Sequence, residues 1–231
     1  MKRGWPGWVA LIVSGLFAVA GITSWMVYSS QMSVVRALRG ATTTTEHEYR
    51  LRRAVSLDSS NGLARLQLAR AASVKRQHSE ALDLHKEGMK TYRPFSSYEE
   101  LGRLQERMAA GEPARREEFQ TMARKTYEDA LLLHPGDLSL LKRLAELCLR
   151  QGDRDGVMEY TEAILKRSLN DLDAVFFRAL DAEAAGEYQR SYRLIQQIAG
   201  RSSGAASRYY TTESLAAKRR ALESLGARRG L

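Results

Sequence analysis

The sequence is poor in residues that interrupt helices and in residues that crosslink chains. It has four prolines and a single cysteine, Cys148, among 231 residues. One cysteine excludes an intramolecular disulfide but leaves the compartment open, because exported proteins can also lack disulfides. Aromatic residues make up 8% of the chain, whereas Ala, Leu, Arg and Glu are abundant. This composition favours helix over strand.

The signatures of catalysis and of cofactor binding are also missing. None of the four histidines (His47, His78, His85 and His134) has a Cys or a carboxylate at a metal-ligand spacing. The sequence contains no Gly-x-Ser-x-Gly, no Cys-x-x-Cys-His and no glycine-rich loop of the phosphate-binding kind. We therefore expect no catalytic residue, no metal and no cofactor. We also interpret Cys148 as a small core residue.

Basic residues exceed acidic ones and give a formal net charge of +9. Such an excess is typical of proteins that meet nucleic acid, anionic lipid or acidic partners. Here the cations are interspersed with acids and do not alternate with aromatic residues, so nucleic acid is not an expected partner. Cations close to an apolar segment can also contact anionic lipid headgroups.

The N-terminal part of the chain contains a long uncharged segment. No charge occurs from Gly4 to Val35, and residues 8–28 are predominantly apolar. As a helix that rises ~1.5 Å per residue, residues 8–28 match the hydrocarbon core of about 30 Å. Aromatic side chains favour the two membrane interfaces, and they stand at both ends of this stretch: Trp5, Trp8, Trp25 and Tyr28. We therefore predict a single membrane-spanning helix.

A cleaved signal peptide is the alternative, since residues 18–20 (Ala-Val-Ala) have the small-x-small form of a cleavage site. The apolar residues that continue to Tyr28 favour the anchor. Lys2 and Arg3 precede the span and favour a cytoplasmic N-terminus, although Arg36 and Arg39 nearly balance them. The expected location is the bacterial inner membrane, with the rest of the chain in the periplasm.

The second half of the chain contains an internal repeat of 34 residues. Gly152 and Gly186 are separated by this interval, as are Ala145 and Ala179. This pattern resembles the tetratricopeptide repeat (TPR) family, a helix–turn–helix unit with small residues at its eighth and twentieth positions and Gly near the fifteenth. His134-Pro135-Gly136-Asp137 matches the turn between two such units. The resemblance implies close helix packing at the small residues.

The resemblance extends backward more weakly and predicts four units with a half-unit before them. The predicted helices are 46–57 (the half-unit), 63–76, 79–92 and 97–110, and a longer connection at 111–117 starts the next helix early. The helix 211–226 is predicted to cap the array. The predicted fold is all-α: a transmembrane helix, a TPR-like superhelix and a C-terminal capping helix. Its segments are 1–40 (tail and anchor), 41–61 (linker and half-repeat), 62–203 (repeats) and 204–231 (cap and basic tail).

In the TPR family the first helix of each unit lines a concave groove that binds proteins. The resemblance places this groove at Lys142, Arg143, Glu146, Arg150, Phe176 and Phe177. The three cations there are expected to clamp an acidic peptide or a C-terminus. Glu146 stands where the chaperone-binding members have Asn, so their function is not carried over. Adjacent helical residues cannot face the same way: either one phenylalanine is an exposed anchor, or the next helix covers both.

These features predict a non-enzymatic scaffold or accessory subunit of a membrane protein complex. Its expected partners are other membrane protein subunits, which it contacts through the span and the groove. The alternative is a periplasmic assembly factor, similar to a chaperone, that acts on secreted or cytochrome-type clients.

Overall fold

The computed structural model describes residues 7–40, 44–201 and 207–225, and these ranges are helical apart from short connections. They contain no strand, which confirms the all-α prediction for the described residues. The helices are α1 Gly7–Gly40, α2 Thr44–Leu57, α3 Gly62–Val74, α4 His78–Thr91, α5 Phe95–Gly111, α6 Arg116–Leu133, α7 Leu138–Gln151, α8 Arg154–Arg167, α9 Leu172–Ala184, α10 Tyr188–Arg201 and α11 Thr212–Ser224, with a 3₁₀ turn Pro113–Arg115 before α6.

Aspartate side chains define where three successive helices begin. Asp137 accepts a hydrogen bond from the backbone N–H of Leu140, and Asp153 accepts one from that of Gly156. Asp171 accepts from two backbone N–H groups at the start of α9. Each carboxylate satisfies helical donors that have no partner within the helix. The breaks predicted around Pro135 and Gly152 are therefore sharp helix starts.

Three turns, each between the two helices of a pair, share one left-handed backbone position. Gly152 and Gly186 adopt it with φ of 71° and 76° between the two helices of their pairs. Arg76 adopts it with φ of 61° in the turn between α3 and α4. A side chain in this conformation costs roughly 1–2 kcal/mol relative to glycine. The pair α3–α4 therefore has the same turn geometry as the later pairs, although Arg76 stands in place of glycine.

The chain divides into two compact units, and the first ends at Leu104. In this first unit α1 packs on α2 and α3 packs on α4. The helices α3 and α4 approach at Gly62 and Gly88, where a Cβ atom on Gly62 would lie 2.5 Å from the carbonyl oxygen of Gly88. The two glycines therefore allow contact at backbone distance.

The C-terminal part of α1 belongs to the helical array. The buried Ser30 hydroxyl donates to the carbonyl oxygen of Ala54 at 2.9 Å, and the Asn61 amide donates to Ser30 Oγ at 2.6 Å. Val34 packs into the same core beside Leu51. The helix α2, which the sequence suggested to be a lone second helix, thus has α1 as its partner.

The predicted membrane anchor gains no support from the structure. Among the residues that were described, none of the helices is both long enough and apolar enough to cross a membrane. Trp25 and Tyr28, two of the expected interface residues, are 63% and 62% exposed on α1. Trp5 and the side chain of Trp8 lie outside the described residues, as does the basic tail after Leu225.

The second unit starts at Gln105 and contains the clearest repeats. Its pairs α7–α8 and α9–α10 pack consecutively, and α11 packs on α10. Leu215 and Leu222 of α11 join a core that includes Ile195 and Ile198. Cys148 is fully buried, and burial raises the pKa of its thiol to about 12. It is therefore a core residue, as expected from the sequence.

Candidate protein-binding groove

The predicted groove residues lie on α7 and α9, the first helices of the last two pairs. Here "the groove" denotes a surface of the second unit. It is formed by Lys142, Arg143, Glu146 and Arg150 of α7, by Asp171, Asp173 and Phe177 at and after the start of α9, and by Glu106 near the end of α5. The structure brings the predicted cations together there. It also adds acidic partners that sequence spacing on one helix does not reveal.

Lys142 is bound to two carboxylates of its own chain. Its Nζ atom lies 2.8 Å from Asp171 Oδ2 and 2.7 Å from Asp173 Oδ2. Burial alone would lower the pKa of Lys142, but the hydrogen bonds to both aspartates outweigh it and raise the pKa above its ordinary value. Asp171 also caps α9. Lys142 therefore joins α7 to the start of α9 and is not free to clamp an acidic peptide.

Arg143 and Arg150 share carboxylates in the same way. Glu106 Oε2 lies 3.4 Å from Arg143 Nη1 and 3.2 Å from Arg150 Nη2. Glu146 lies within 4.0 Å of the first guanidinium and 3.4 Å of the second. The Tyr127 hydroxyl donates to the other oxygen of Glu106 at 2.7 Å. The cations of the groove are thus paired with carboxylates of the same chain, which disfavours the acidic-peptide clamp.

Neither phenylalanine is the exposed anchor that one interpretation required. Phe176 is 7% exposed and Phe177 is 1% exposed. The ring centroid of Tyr210 lies 5.0 Å from that of Phe176, and the ring of Tyr209 meets Phe177 at 4.7 Å. Both phenylalanines are covered, as the other interpretation held. Part of the cover comes from a non-helical segment and not from the next helix alone.

This segment, Ser207–Tyr210, is called the strap below; it precedes α11. The Ser207 hydroxyl donates to Asp173 Oδ1 at 2.6 Å. Arg208 Nη2 lies 3.5 Å from Glu146 Oε2, and the guanidinium stands 4.6 Å from the centroid of the Tyr209 ring. Burial raises the pKa of the Tyr209 hydroxyl. A segment of the chain itself therefore occupies the groove.

The charges of the groove balance only when the strap is counted. Four carboxylates meet there, and three cations of α7 face them; Arg208 of the strap is the fourth cation. The carboxylates are Glu106, Glu146, Asp171 and Asp173. Without the strap the groove carries a net negative charge.

The sequence contains a signal for the strap beyond the repeated helices. Ser207 follows Asp173 by 34 residues, the repeat interval, and the two side chains are hydrogen-bonded. Tyr210 follows Phe176 by the same interval and packs on it. The repeat register therefore continues into the strap, although its backbone is not helical. Among the described residues, no cluster of three or more His, Cys, Asp or Glu could hold a metal ion.

Solved structures with a similar fold include TPR proteins. YrrB, a TPR protein described as having an unusual peptide-binding site, superposes with a TM-score of 0.62 and 14% identity, over 74% of this chain and 86% of that one. A TPR protein of Parabacteroides merdae gives 0.62 and 14%, over 90% and 75%. A thermophilic TPR protein of Thermus thermophilus gives 0.51 and 14%, over 84% and 99%.

At these identities the similarity shows the fold alone. No protein-family model matches the sequence, and no curated protein matches it. The repeated helical pairs and these structures together define a helical-repeat protein with the TPR fold. The resemblance noted in the sequence is confirmed at that level.

Proposed function

We propose that the chain is a protein-binding scaffold whose groove holds a short segment of a partner protein. One observation carries the proposal: the groove already holds a four-residue segment by an ion pair, a hydrogen bond and two ring contacts. A partner segment can use the same groups. The peptide-binding site described for YrrB, which shares the fold, supports this use of the helical array. The proposed role is binding, not catalysis.

A photo-crosslinking residue at Arg150, on the rim of the groove, tests the proposal in living cells. We expect a specific crosslinked partner that disappears when Glu146→Lys is added, because the substitution reverses a charge inside the groove. The control position is Glu159, which is exposed on α8. The same adduct from both positions, or an adduct that Glu146→Lys leaves unchanged, would reject the groove as the binding surface.

The scaffold is further proposed to act at a membrane. The uncharged segment from Gly4 to Val35 supports this setting. So do the large apolar side chains exposed on α1, among them Leu16, Ile22 and Trp25. Extraction of membranes with alkaline carbonate distinguishes an anchored chain from a peripheral one. A chain that leaves the pellet, or that has lost its first 20 residues by mass spectrometry, would reject the anchor.

The proposed side for the repeats is the periplasm of a bacterial inner membrane. Cys148 is buried and gives little background, so an added Ser59→Cys on the exposed loop before α3 reports the side directly. A maleimide that cannot cross the membrane should label this residue in intact spheroplasts. Labelling only after lysis would place the repeats in the cytoplasm.

A stable subunit and a transient assembly factor differ in how long the partner remains bound. For the proposed subunit, purification in mild detergent and high salt should retain one partner in constant ratio. The span and the groove would both contribute to this retention, and the partner is expected to be another membrane protein subunit. Complete loss of partners on washing would favour the assembly factor.

A further inference from the structure

We propose that the strap is a displaceable self-ligand of the groove, and that the partner segment which replaces it carries a cation followed by an aromatic ring. This inference rests on the proposed function, since it specifies the segment that binds there. The strap presents the same order, with Arg208 followed by Tyr209. The expected ligand is therefore a basic-aromatic peptide and not an acidic one.

The contacts that hold the first part of the strap are few and partly open to solvent. The Arg208 side chain is 48% exposed, and its distance to Glu146 is 3.5 Å. Exposed ion pairs of this kind contribute little to stability because water screens them. Ser207 adds one hydrogen bond to Asp173. Ser207 and Arg208 are therefore held to α7 and α9 by polar contacts, and displacement must also separate the Tyr209 ring from Phe177.

The last residue of the strap behaves differently. Tyr210 is buried and belongs to the core formed with Leu215 and Leu222 of α11. It therefore remains fixed when the preceding residues move. This arrangement keeps the displaced segment close to the groove and keeps α11 in place as a cap.

The electrostatic balance selects the charge of an incoming segment. With the strap displaced, four carboxylates face three cations in the groove, because Arg208 has left with it. An acidic residue at this place would add a fifth negative charge beside Glu146, and like charges at short distance repel. A Lys or Arg restores the balance that Arg208 provides.

The aromatic preference follows from Phe177. Its ring meets that of Tyr209 in an edge-on arrangement, with an interplanar angle of 74°. Departure of Tyr209 would expose apolar ring surface to water, which is unfavourable. An aromatic side chain that follows the cation by one residue covers this surface again.

Because the strap is part of the same chain, it competes strongly with an added peptide for the groove. A short tether gives an effective local concentration of order millimolar. A free peptide with the same contacts therefore binds weakly to the intact chain. Substitutions that weaken the strap should increase the affinity for the peptide.

The test measures binding of a fluorescein-labelled peptide that copies residues 207–213 (Ser-Arg-Tyr-Tyr-Thr-Thr-Glu) to the full chain in detergent. Fluorescence anisotropy gives the Kd for the wild type, Arg208→Glu and Tyr209→Ala. We expect about tenfold tighter binding to both variants, because the competing segment no longer holds its place. Arg220→Glu makes the same charge change at an exposed position of α11 and should leave the Kd unchanged.

Circular dichroism at 222 nm establishes whether each variant is folded. If Tyr209→Ala does not fold, the comparison of Arg208→Glu with the wild type is sufficient for the test. An equal Kd for all chains would overturn displacement. Equal binding of a peptide with Glu in place of Arg would overturn the cation preference. If no peptide binds to any chain while the crosslink from Arg150 persists, this ligand class is wrong and the proposed function stands. Loss of both would reject the groove itself.

Discussion

The rings of Phe177 and Tyr209 meet edge-on, with their centroids 4.7 Å apart. One of these residues was a candidate anchor for a partner, and the other now covers it from the same chain. Together with the pair Phe176–Tyr210, this contact places the strap against α9. A partner segment that binds this surface would have to replace the strap. Its apparent affinity would therefore depend on the difference between its own binding free energy and that of the strap.

Phe177→Leu should loosen the strap while it preserves the core. Leucine keeps most of the volume, so we expect a stability loss below about 1.5 kcal/mol, but the aromatic contact with Tyr209 is lost. Hydrogen exchange measured by mass spectrometry should become faster in 207–210. Phe119→Leu, a similar change at a buried position of α6, is the control and should leave exchange of this segment unchanged. Equal exchange in both variants would contradict the importance of the ring pair.

Arg76→Gly should stabilise the protein by about 1 kcal/mol. The residue lies in the left-handed region with φ of 61°, and glycine relieves a strain of roughly 1–2 kcal/mol against a smaller entropic cost. Urea unfolding followed by circular dichroism measures the gain. Arg76→Ala removes the same side chain but keeps a Cβ atom, so it should give no gain. A gain of equal size from alanine would assign the effect to the side chain instead.

Gly62→Ala should destabilise the protein by about 1–3 kcal/mol, the usual range for overpacking. The added Cβ would lie 2.5 Å from the carbonyl oxygen of Gly88, and a backbone atom cannot move aside as a side chain end can. Gly200→Ala is the matched control, because nothing lies within 4 Å of its added Cβ in α10. That substitution should be neutral or slightly stabilising, through the higher helix propensity of alanine. The thermal midpoint should fall in Gly62→Ala and should stay equal or rise slightly in Gly200→Ala.

Asp153→Ala should cost about 1 kcal/mol at neutral pH through loss of the helix cap. The backbone N–H of Gly156 and then the guanidinium of Arg124 lower the pKa of Asp153. A lowered carboxyl pKa contributes stability that is complete above the unfolded value of about 3.9 and disappears as the pH falls through the folded value. The difference between wild type and variant should therefore narrow below about pH 4. A constant difference down to pH 2 would show that the ionised form is not required.

The sequence pattern was sufficient to predict the helical pairs that follow Pro135. Ala145, Ala179, Gly152 and Gly186 repeat at one interval, and the structure uses them as close contacts and left-handed turns. Helix propensity and turn chemistry act over a few residues, so they can be read locally. The earlier pair was harder to recognise because Arg76 stands where the later turns have glycine.

The ion pairs of the groove and its occupation by the strap could not be predicted from local sequence patterns. Lys142 meets Asp171 and Asp173 from the following repeat, and Arg143 meets Glu106 from a preceding helix. These pairs join residues about one repeat apart in sequence, beyond the reach of spacing rules for a single helix. The strap has no helical period, and its role depends on where its side chains lie in three dimensions.

The helix α1 runs without interruption from Gly7 to Gly40, and Ser30 fixes its C-terminal part to Ala54 and Asn61. Each residue of an α-helix turns the following ones by about 100°. One residue inserted between Trp25 and Ser30 would therefore rotate Ile22 and Trp25, which are exposed on α1, by that angle relative to α2 and α3. The number of residues in this short interval therefore sets the direction in which the exposed apolar side chains of α1 point away from the helical array.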